Sequence, residues 1–180
     1  MSGHSHSHNV ARLKESVDAK RGKIFTKVAR AITIAAKKGG SGDPSSNSFL
    51  RITIEKAREV NMPKDNIERA IKRAVDASGE GELYELRYEG YGPEGVAIMI
   101  DIATDNKNRT LAEIRQILNR HGGSLGEPGC AAYVFGQDPE NPQFRIPVDE
   151  KKKERILDMI AELEDNDDVQ EVFHNLEVLS

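Results

Sequence analysis

The chain has little of what several classes of protein require. Its 180 residues contain one cysteine, Cys130, and no tryptophan. A lone cysteine excludes an intramolecular disulfide framework and a zinc site built from several cysteines. No apolar run approaches the roughly 20 residues that span a bilayer, and the N-terminus lacks the apolar segment of a secretory signal. We therefore expect a cytoplasmic protein with no membrane partner.

Aromatic residues are also scarce, at 5% of the chain, whereas charged residues make up 31%, and the charge is divided unevenly. Residues 1–75 contain 16 Lys and Arg against 7 Asp and Glu, a net charge of +9. Residues 76–180 contain 10 against 23, a net charge of −13. A basic half of this kind suits a polyanionic partner such as nucleic acid. The alternative is that charge varies along a soluble chain without functional meaning.

The first part of the basic half has the periodicity of a helix. We take residues 1–9 as polar and flexible, and we expect helix from about Val10. Residues 21–38 collect apolar side chains, Ile24 among them, on one face and leave Lys and Arg on the other. Gly39 and the glycine after it should end this helix.

Two further helices should follow. Asp43 can act as an N-cap with proline at the next position, so we expect the second helix to open there. Pro63 should start the third. Short connections between three amphipathic helices predict a small helical bundle that forms a basic domain of residues 1–78.

Beyond a glycine-containing hinge the period changes from that of a helix to that of a strand. The pattern predicts an acidic domain of residues 79–180 with the order β-β-α-β-(β)-α-β. We expect strands at 83–91, 96–103, around 131–135, briefly at 144–146 and at 169–178, and helices around 111–118 and 156–163. The fold class is therefore α+β: an N-terminal helical bundle followed by a small antiparallel sheet with helices on one face.

Several long strings resemble one family. They are DAKRGKIFTKVARAI (18–32), GGSGDPSSN (39–47), NMPKDNIERAIKR (61–73), YEGYGPEGVAIMI (88–100), TDNKNRTLAEIR (104–115) and LEDNDDVQEVFHN (163–175). In this order they are similar to the YebC family, which includes the mitochondrial translational activator of cytochrome c oxidase. The resemblance implies a three-domain plan, with the third domain inserted within the second.

The chain departs from the family pattern in two places. The family's usual N-terminus resembles GHSKW, whereas residues 3–8 read GHSHSH, without the lysine and the tryptophan. Only about a dozen residues, 136–147, stand where the resemblance places the inserted domain, so we expect that domain to be missing. Any activity located in it is not carried over to this chain.

The resemblance implies a non-enzymatic regulator of gene expression that associates with nucleic acid or the ribosome. We place first a translation factor acting on the ribosome and its RNA. The alternative is a transcriptional regulator that binds double-stranded DNA. The residues themselves show no nucleophile–base pair and no cofactor motif, so we expect no enzyme and no cofactor. They give no indication of the oligomeric state.

The candidate nucleic-acid-binding residues are the cations of the basic helices. Lys and Arg bind phosphates without reading sequence, although most such runs are simply solvated helix faces. In the third helix, Asp65 and Glu68 could also neutralise neighbouring cations. The candidates are Lys14, Lys20, Arg21, Lys23, Lys27, Arg30, Lys37, Lys38, Lys64, Arg69, Lys72 and Arg73.

Two other features have both a functional and a structural interpretation. Tyr88, Tyr91, Gly92 and Pro93 form a candidate loop contact that could stack on RNA or a peptide, but the glycines and proline could merely make a turn while the tyrosines pack. His4, His6 and His8 would share one side of an extended strand and could bind a metal weakly. In a flexible tail that binding costs much entropy, so we expect no metal site.

Overall fold

The computed structural model describes the backbone of residues 4–76 and 82–177, and side chains from residue 16 onward within these ranges. The chain divides into two compact units, residues 1–78 and residues 79–180. Among the described helices, none is both long and apolar enough to cross a membrane. The combination of helices with an antiparallel sheet confirms the predicted α+β class.

Three helices make up the first unit. They are α1 (His4–Lys38), α2 (Ser48–Glu59) and α3 (Lys64–Val75). Helix α1 packs against both of the others. Ile32 of α1, Leu50 of α2 and Ile67 of α3 belong to one buried apolar cluster, as the periodicity predicted. The unit is therefore held together by a single face of α1.

Two predicted helix boundaries are wrong. Helix α1 begins at His4 and not near Val10. Helix α2 begins at Ser48 and not at Asp43, whose carboxylate instead accepts hydrogen bonds from the backbone and hydroxyl of Ser45. These hydrogen bonds, the one from the hydroxyl first, lower the pKa of Asp43. Asp43 thus closes a turn ahead of the helix.

Asn47 is the N-cap of α2, and its side chain is 2% exposed. Its Oδ1 accepts a hydrogen bond from the Leu50 amide at 3.0 Å. Its Nδ2 donates to the carbonyl oxygens of Ala35 at 3.0 Å and Ser41 at 2.9 Å. A Cβ on Gly39 would lie 2.1 Å from this side chain, so the glycine leaves room for it. One amide group therefore joins the end of α1 to the start of α2.

The second unit contains a four-stranded antiparallel sheet in the order β3-β1-β2-β4. A turn at Pro93–Gly95 joins β1 to β2, and α5 is a single short turn of helix. The elements are β1 (Tyr84–Tyr91), β2 (Ala97–Thr104), α4 (Lys107–Arg120), β3 (Ser124–Leu125), α5 (Ala132–Phe135), α6 (Glu150–Asp165) and β4 (Val169–His174).

The central strand β2 is buried on both sides. Ile98 and Ile100 point toward α4 and α6 and form the larger core. Ala97 and Met99 point to the opposite side and pack with Phe135 of α5. Alternation along the strand therefore supplies two separate cores.

The predicted strand around 131–135 is wrong, because this segment forms α5. The carboxylate of Glu89 accepts hydrogen bonds from the amides of Gly129 at 3.0 Å and Ala131 at 2.8 Å. Consecutive burial of Val134 and Phe135 also fits a helical turn better than a strand, in which neighbours face opposite sides. The Glu89 carboxylate thus accepts hydrogen bonds from amides that, in a strand, would donate to the carbonyls of a neighbouring strand.

A buried polar network fixes the start of α4. Asp168 is 2% exposed and accepts hydrogen bonds from the hydroxyls of Thr104 and Thr110 and from the guanidinium of Arg109. Asn106 caps the helix by accepting a bond from the Arg109 amide. A buried carboxylate is tolerated here because charged and hydroxyl donors surround it.

The first testable prediction concerns Asn47. Asn47→Ala removes the cap of α2 and both hydrogen bonds that Nδ2 donates, so we expect the free energy of unfolding to fall by about 2 kcal/mol. Asn47→Asp keeps the capping acceptor but turns a buried carboxylate oxygen toward two carbonyl oxygens, so it should cause at least as large a loss. Urea denaturation measures both. An Asn47→Ala variant as stable as the parent would contradict the assigned bonds.

The second prediction concerns pH. Burial lowers the pKa of His174 from its usual 6.5, and the charge of Arg145 lowers it further. The neutral imidazole is favoured in the folded state, so its contribution to stability is present above the unfolded-state pKa and is lost as the pH falls below it. We expect the free energy of unfolding to drop more between about pH 7.5 and about pH 5 for the parent than for His174→Gln. Equal pH dependences would exclude this role.

Candidate nucleic-acid interface

The predicted cations of α1 fall into two groups. Lys20, Arg21, Lys37 and Lys38 are exposed, whereas Lys23, Lys27 and Arg30 are half-buried. The expected basic face is therefore present along the helix, but its middle is less accessible than its ends. The side chain of Lys14 lies outside the described residues.

The apolar face of α1 is shorter than expected. Ile24, which the sequence placed in the buried sector, is 45% exposed. Val17, about two helical turns earlier, is 62% exposed. The fully buried residues of α1 start at Ile32. Packing against α2 and α3 thus covers the C-terminal half of the helix, and periodicity alone did not show where that cover begins.

The four predicted cations of α3, namely Lys64, Arg69, Lys72 and Arg73, are all exposed. Lys64 pairs with Glu68 at 3.4 Å, on a fully solvated surface where such a pair stabilises little. Arg69 does not bind the Asp65 carboxylate; its guanidinium donates to the Asp65 carbonyl and to Oδ1 of Asn66. Its charge is therefore not neutralised by either partner.

Exposed cations without a carboxylate partner occur on more than one helix. Within the described ranges, Lys20, Lys37 and Lys72 make no ion pair. Arg21 places its guanidinium carbon 5.4 Å from the centre of the Phe25 ring. Cations of this kind can meet phosphate oxygens without first breaking an existing salt bridge.

Helix α2 adds cations that the sequence interpretation omitted. Arg51, Lys56 and Arg58 are exposed. Their signal was present, because the buried stripe of Leu50, Ile54 and Ala57 leaves the residues between them on the outer faces. The same helix exposes two apolar side chains, Phe49 at 61% and Ile52 at 52%.

The candidate loop contact does not form a single surface. Tyr88 packs against the core that includes Ile100, whereas Tyr91 packs on the opposite side of the sheet and donates its hydroxyl to the carbonyl of Cys130 at 2.6 Å. Gly92 is buried against Met159, whose Cε would lie 2.7 Å from an added Cβ, and Pro93 is half-buried. The contacts that these residues make are those of a packed turn.

The three histidines near the N-terminus lie in the helical backbone of α1 and not on a strand. Their side chains lie outside the described residues. Elsewhere in the described part of the chain, no three metal-binding side chains come together.

Family models match both units of the chain. Residues 5–77 match the TACO1/YebC protein N-terminal domain. Residues 83–140 match the TACO1/YebC second and third domain. The chain belongs to the TACO1/YebC family.

Relatives span the chain almost completely. A protein of Dictyoglomus thermophilum named "Probable transcriptional regulatory protein" is 39% identical, and the match covers 99% of this chain and 96% of the relative. The Bacillus subtilis protein YrbC, named likewise, is 46% identical over 96% of this chain and 73% of its own length. A crystal structure of the conserved hypothetical protein Aq1575 from Aquifex aeolicus has 32% identity and a TM-score of 0.82, covering 91% of this chain and 93% of that one.

This TACO1/YebC protein is shorter than its first relative. Their alignment runs over 241 positions, whereas the chain has 180 residues. The short segment 136–147 folds back on itself, because the amide of Gln143 donates to the carbonyl of Val134 at 2.7 Å. An inserted domain needs two chain ends that lie close together, so this segment remains our predicted place for the missing domain.

Proposed function

We propose that this TACO1/YebC protein is a nucleic-acid-binding regulator of gene expression, and that the exposed cations of residues 1–78 bind the phosphate backbone. The observation that carries the proposal is the set Lys20, Lys37 and Lys72, exposed and without ion pairs in the described ranges, on a half of the chain with a net charge of +9. Lysines so placed release condensed counterions when they meet phosphates. The half-buried Lys23, Lys27 and Arg30 would assist only where their side chains can reach the strand.

Double-stranded DNA is the first choice of partner, because the relatives from Dictyoglomus thermophilum and Bacillus subtilis are named probable transcriptional regulatory proteins. This order reverses the one inferred from the sequence. Cations spread over three helices favour contact with the backbone and with the shape of the duplex over a code read from base edges.

Ribosomal RNA is the second candidate, and the exposed side chain of Phe49 is the observation that favours it. Phe49 and Ile52 stand on the same helix as Lys56. An exposed aromatic ring among cations suits unstacked bases, which RNA loops offer and an intact duplex does not.

A charge-reversal series tests the backbone contact. The triple variant Lys20→Glu, Lys37→Glu and Lys72→Glu should weaken binding to a duplex of about 25 base pairs roughly 10- to 100-fold, and should lower the slope of log affinity against log salt by about 2 to 3. Fluorescence anisotropy at several salt concentrations measures both. The three lysines are exposed, so we expect the variant to stay folded, and circular dichroism checks this.

The matched control carries the same change of charge in the other half. Arg115, Lys151 and Arg155 are exposed residues of the acidic unit. Reversing these three should leave the affinity and the salt slope nearly unchanged. If both triple variants weaken binding equally, net charge and not the assigned surface governs the interaction.

Competition between nucleic acids separates the two partners. Labelled duplex DNA is displaced with unlabelled duplex or with a ribosomal RNA hairpin of equal phosphate count. Stronger displacement by the hairpin, together with its loss in Phe49→Ser, would establish the second candidate over the first. Equal displacement by both, unaffected by Phe49→Ser, is the result expected for backbone binding.

A further inference from the structure

A cleft in the first unit lies between α1 and α3. Its volume is about 310 Å³, at the lower end of the range for small-molecule sites. Side chains from both helices and from the turn before α3 line it. They are Phe25, Thr26, Ala29, Met62, Asn66, Arg69, Ala70 and Arg73.

The floor of the cleft is apolar. Met62 and Ala70 are 6% exposed, and Phe25 is half-buried. The guanidinium of Arg21 lies over the Phe25 ring, 5.4 Å from its centre. Phenylalanine rings and guanidinium planes are both surfaces on which nucleobases stack.

The rim of the cleft carries two arginines. Arg69 and Arg73 both line it and are four residues apart on α3, so they lie side by side on one face of the helix. The described contacts of Arg69 are to an amide oxygen and a backbone carbonyl, and neither is an anion. Guanidinium groups bind phosphate oxygens through charge-assisted hydrogen bonds, so this rim suits a phosphate.

Asn66 adds a neutral polar group to the lining of the cleft. Its Oδ1 accepts a hydrogen bond from Arg69, which leaves the Nδ2 group as a donor. An amide donor beside an apolar floor can bind a carbonyl oxygen or ring nitrogen at the edge of a base. The lining thus combines groups that suit a base, the edge of a base and a phosphate.

We infer that this cleft binds one nucleotide unit, with the base on the floor formed by Phe25 and Met62 and the phosphate at Arg69 and Arg73. The inference builds on the proposed function but uses residues other than Lys20, Lys37 and Lys72. The unit is either a free nucleoside monophosphate or an unpaired nucleotide within a strand. Both share the same chemistry, an aromatic base joined to a phosphate.

The lack of tryptophan provides a direct test. Phe25→Trp puts the only indole of the chain on the floor of the cleft. Tyr133→Trp puts it instead on α5 of the acidic unit, at a residue that is 64% exposed. Titration with adenosine monophosphate should quench the fluorescence of Phe25→Trp and leave that of Tyr133→Trp nearly unchanged, while inorganic phosphate and adenosine should each act only at much higher concentration.

The charge at the rim is tested by Arg69→Gln in the Phe25→Trp background. Loss of one charged hydrogen-bonding partner should weaken the monophosphate roughly 10-fold and leave adenosine unaffected. Saturation-transfer NMR with the parent protein covers the case in which Phe25→Trp does not fold. No transfer to the base protons of either adenosine monophosphate or a single-stranded oligonucleotide overturns the inference.

Further experiments show whether the bound nucleotide is free or part of a strand. They also separate the cleft from the lysines proposed to bind the phosphate backbone. Quenching by a single-stranded octanucleotide far below the concentration needed for the free monophosphate assigns the site to a strand, and the reverse order assigns it to a free nucleotide. The charge-reversed lysine variant should still bind the monophosphate. If the parent binds duplex while the cleft reporter stays silent with every nucleotide, the cleft inference fails and the proposed function stands.

Discussion

Helix α1 has to pack against α2 and α3 with a single face, and the rest of the first unit follows from this constraint. Its C-terminal half supplies Ile32 to the shared core, so the arc that remains must be polar. A lysine on the packed arc would be buried without a partner, at a cost of several kcal/mol. The basic surface is thus the complement of the core, and it could gain positive charge without disturbing the packing.

Periodicity located most elements of the fold, and it failed where a distant side chain decided between local alternatives. Asp43 and Asn47 are both good caps, four residues apart. The choice falls on Asn47 because the carbonyl of Ala35, in another helix, accepts its Nδ2. Glu89 acts similarly at α5, where it binds backbone amides some forty residues away. Neither contact can be predicted from the residues next to it in the sequence.

The candidate site also has features that the sequence predicts and features that depend on distant contacts. Which helices are basic could be read from composition, and the exposed ends of the α1 face agree with that reading. The half-burial of Lys27 and the exposure of Ile24 could not be read, since they depend on how far the neighbouring helices extend along α1. The cleft was hidden for a related reason. It brings Phe25 together with Arg69, and only the packing of α1 on α3 makes them neighbours.

Because the strands of the sheet are ordered β3-β1-β2-β4, the two units can complete their folds at different times during synthesis. All the core residues of the helical unit lie within the first 75 positions, so that unit can close early. Strand β2 receives its second neighbour only when Val169 and the residues after it have been made. Until then its backbone has an open edge, the kind that invites pairing with other chains. A nascent molecule would therefore have a folded, positively charged helical unit while its sheet still lacks β4.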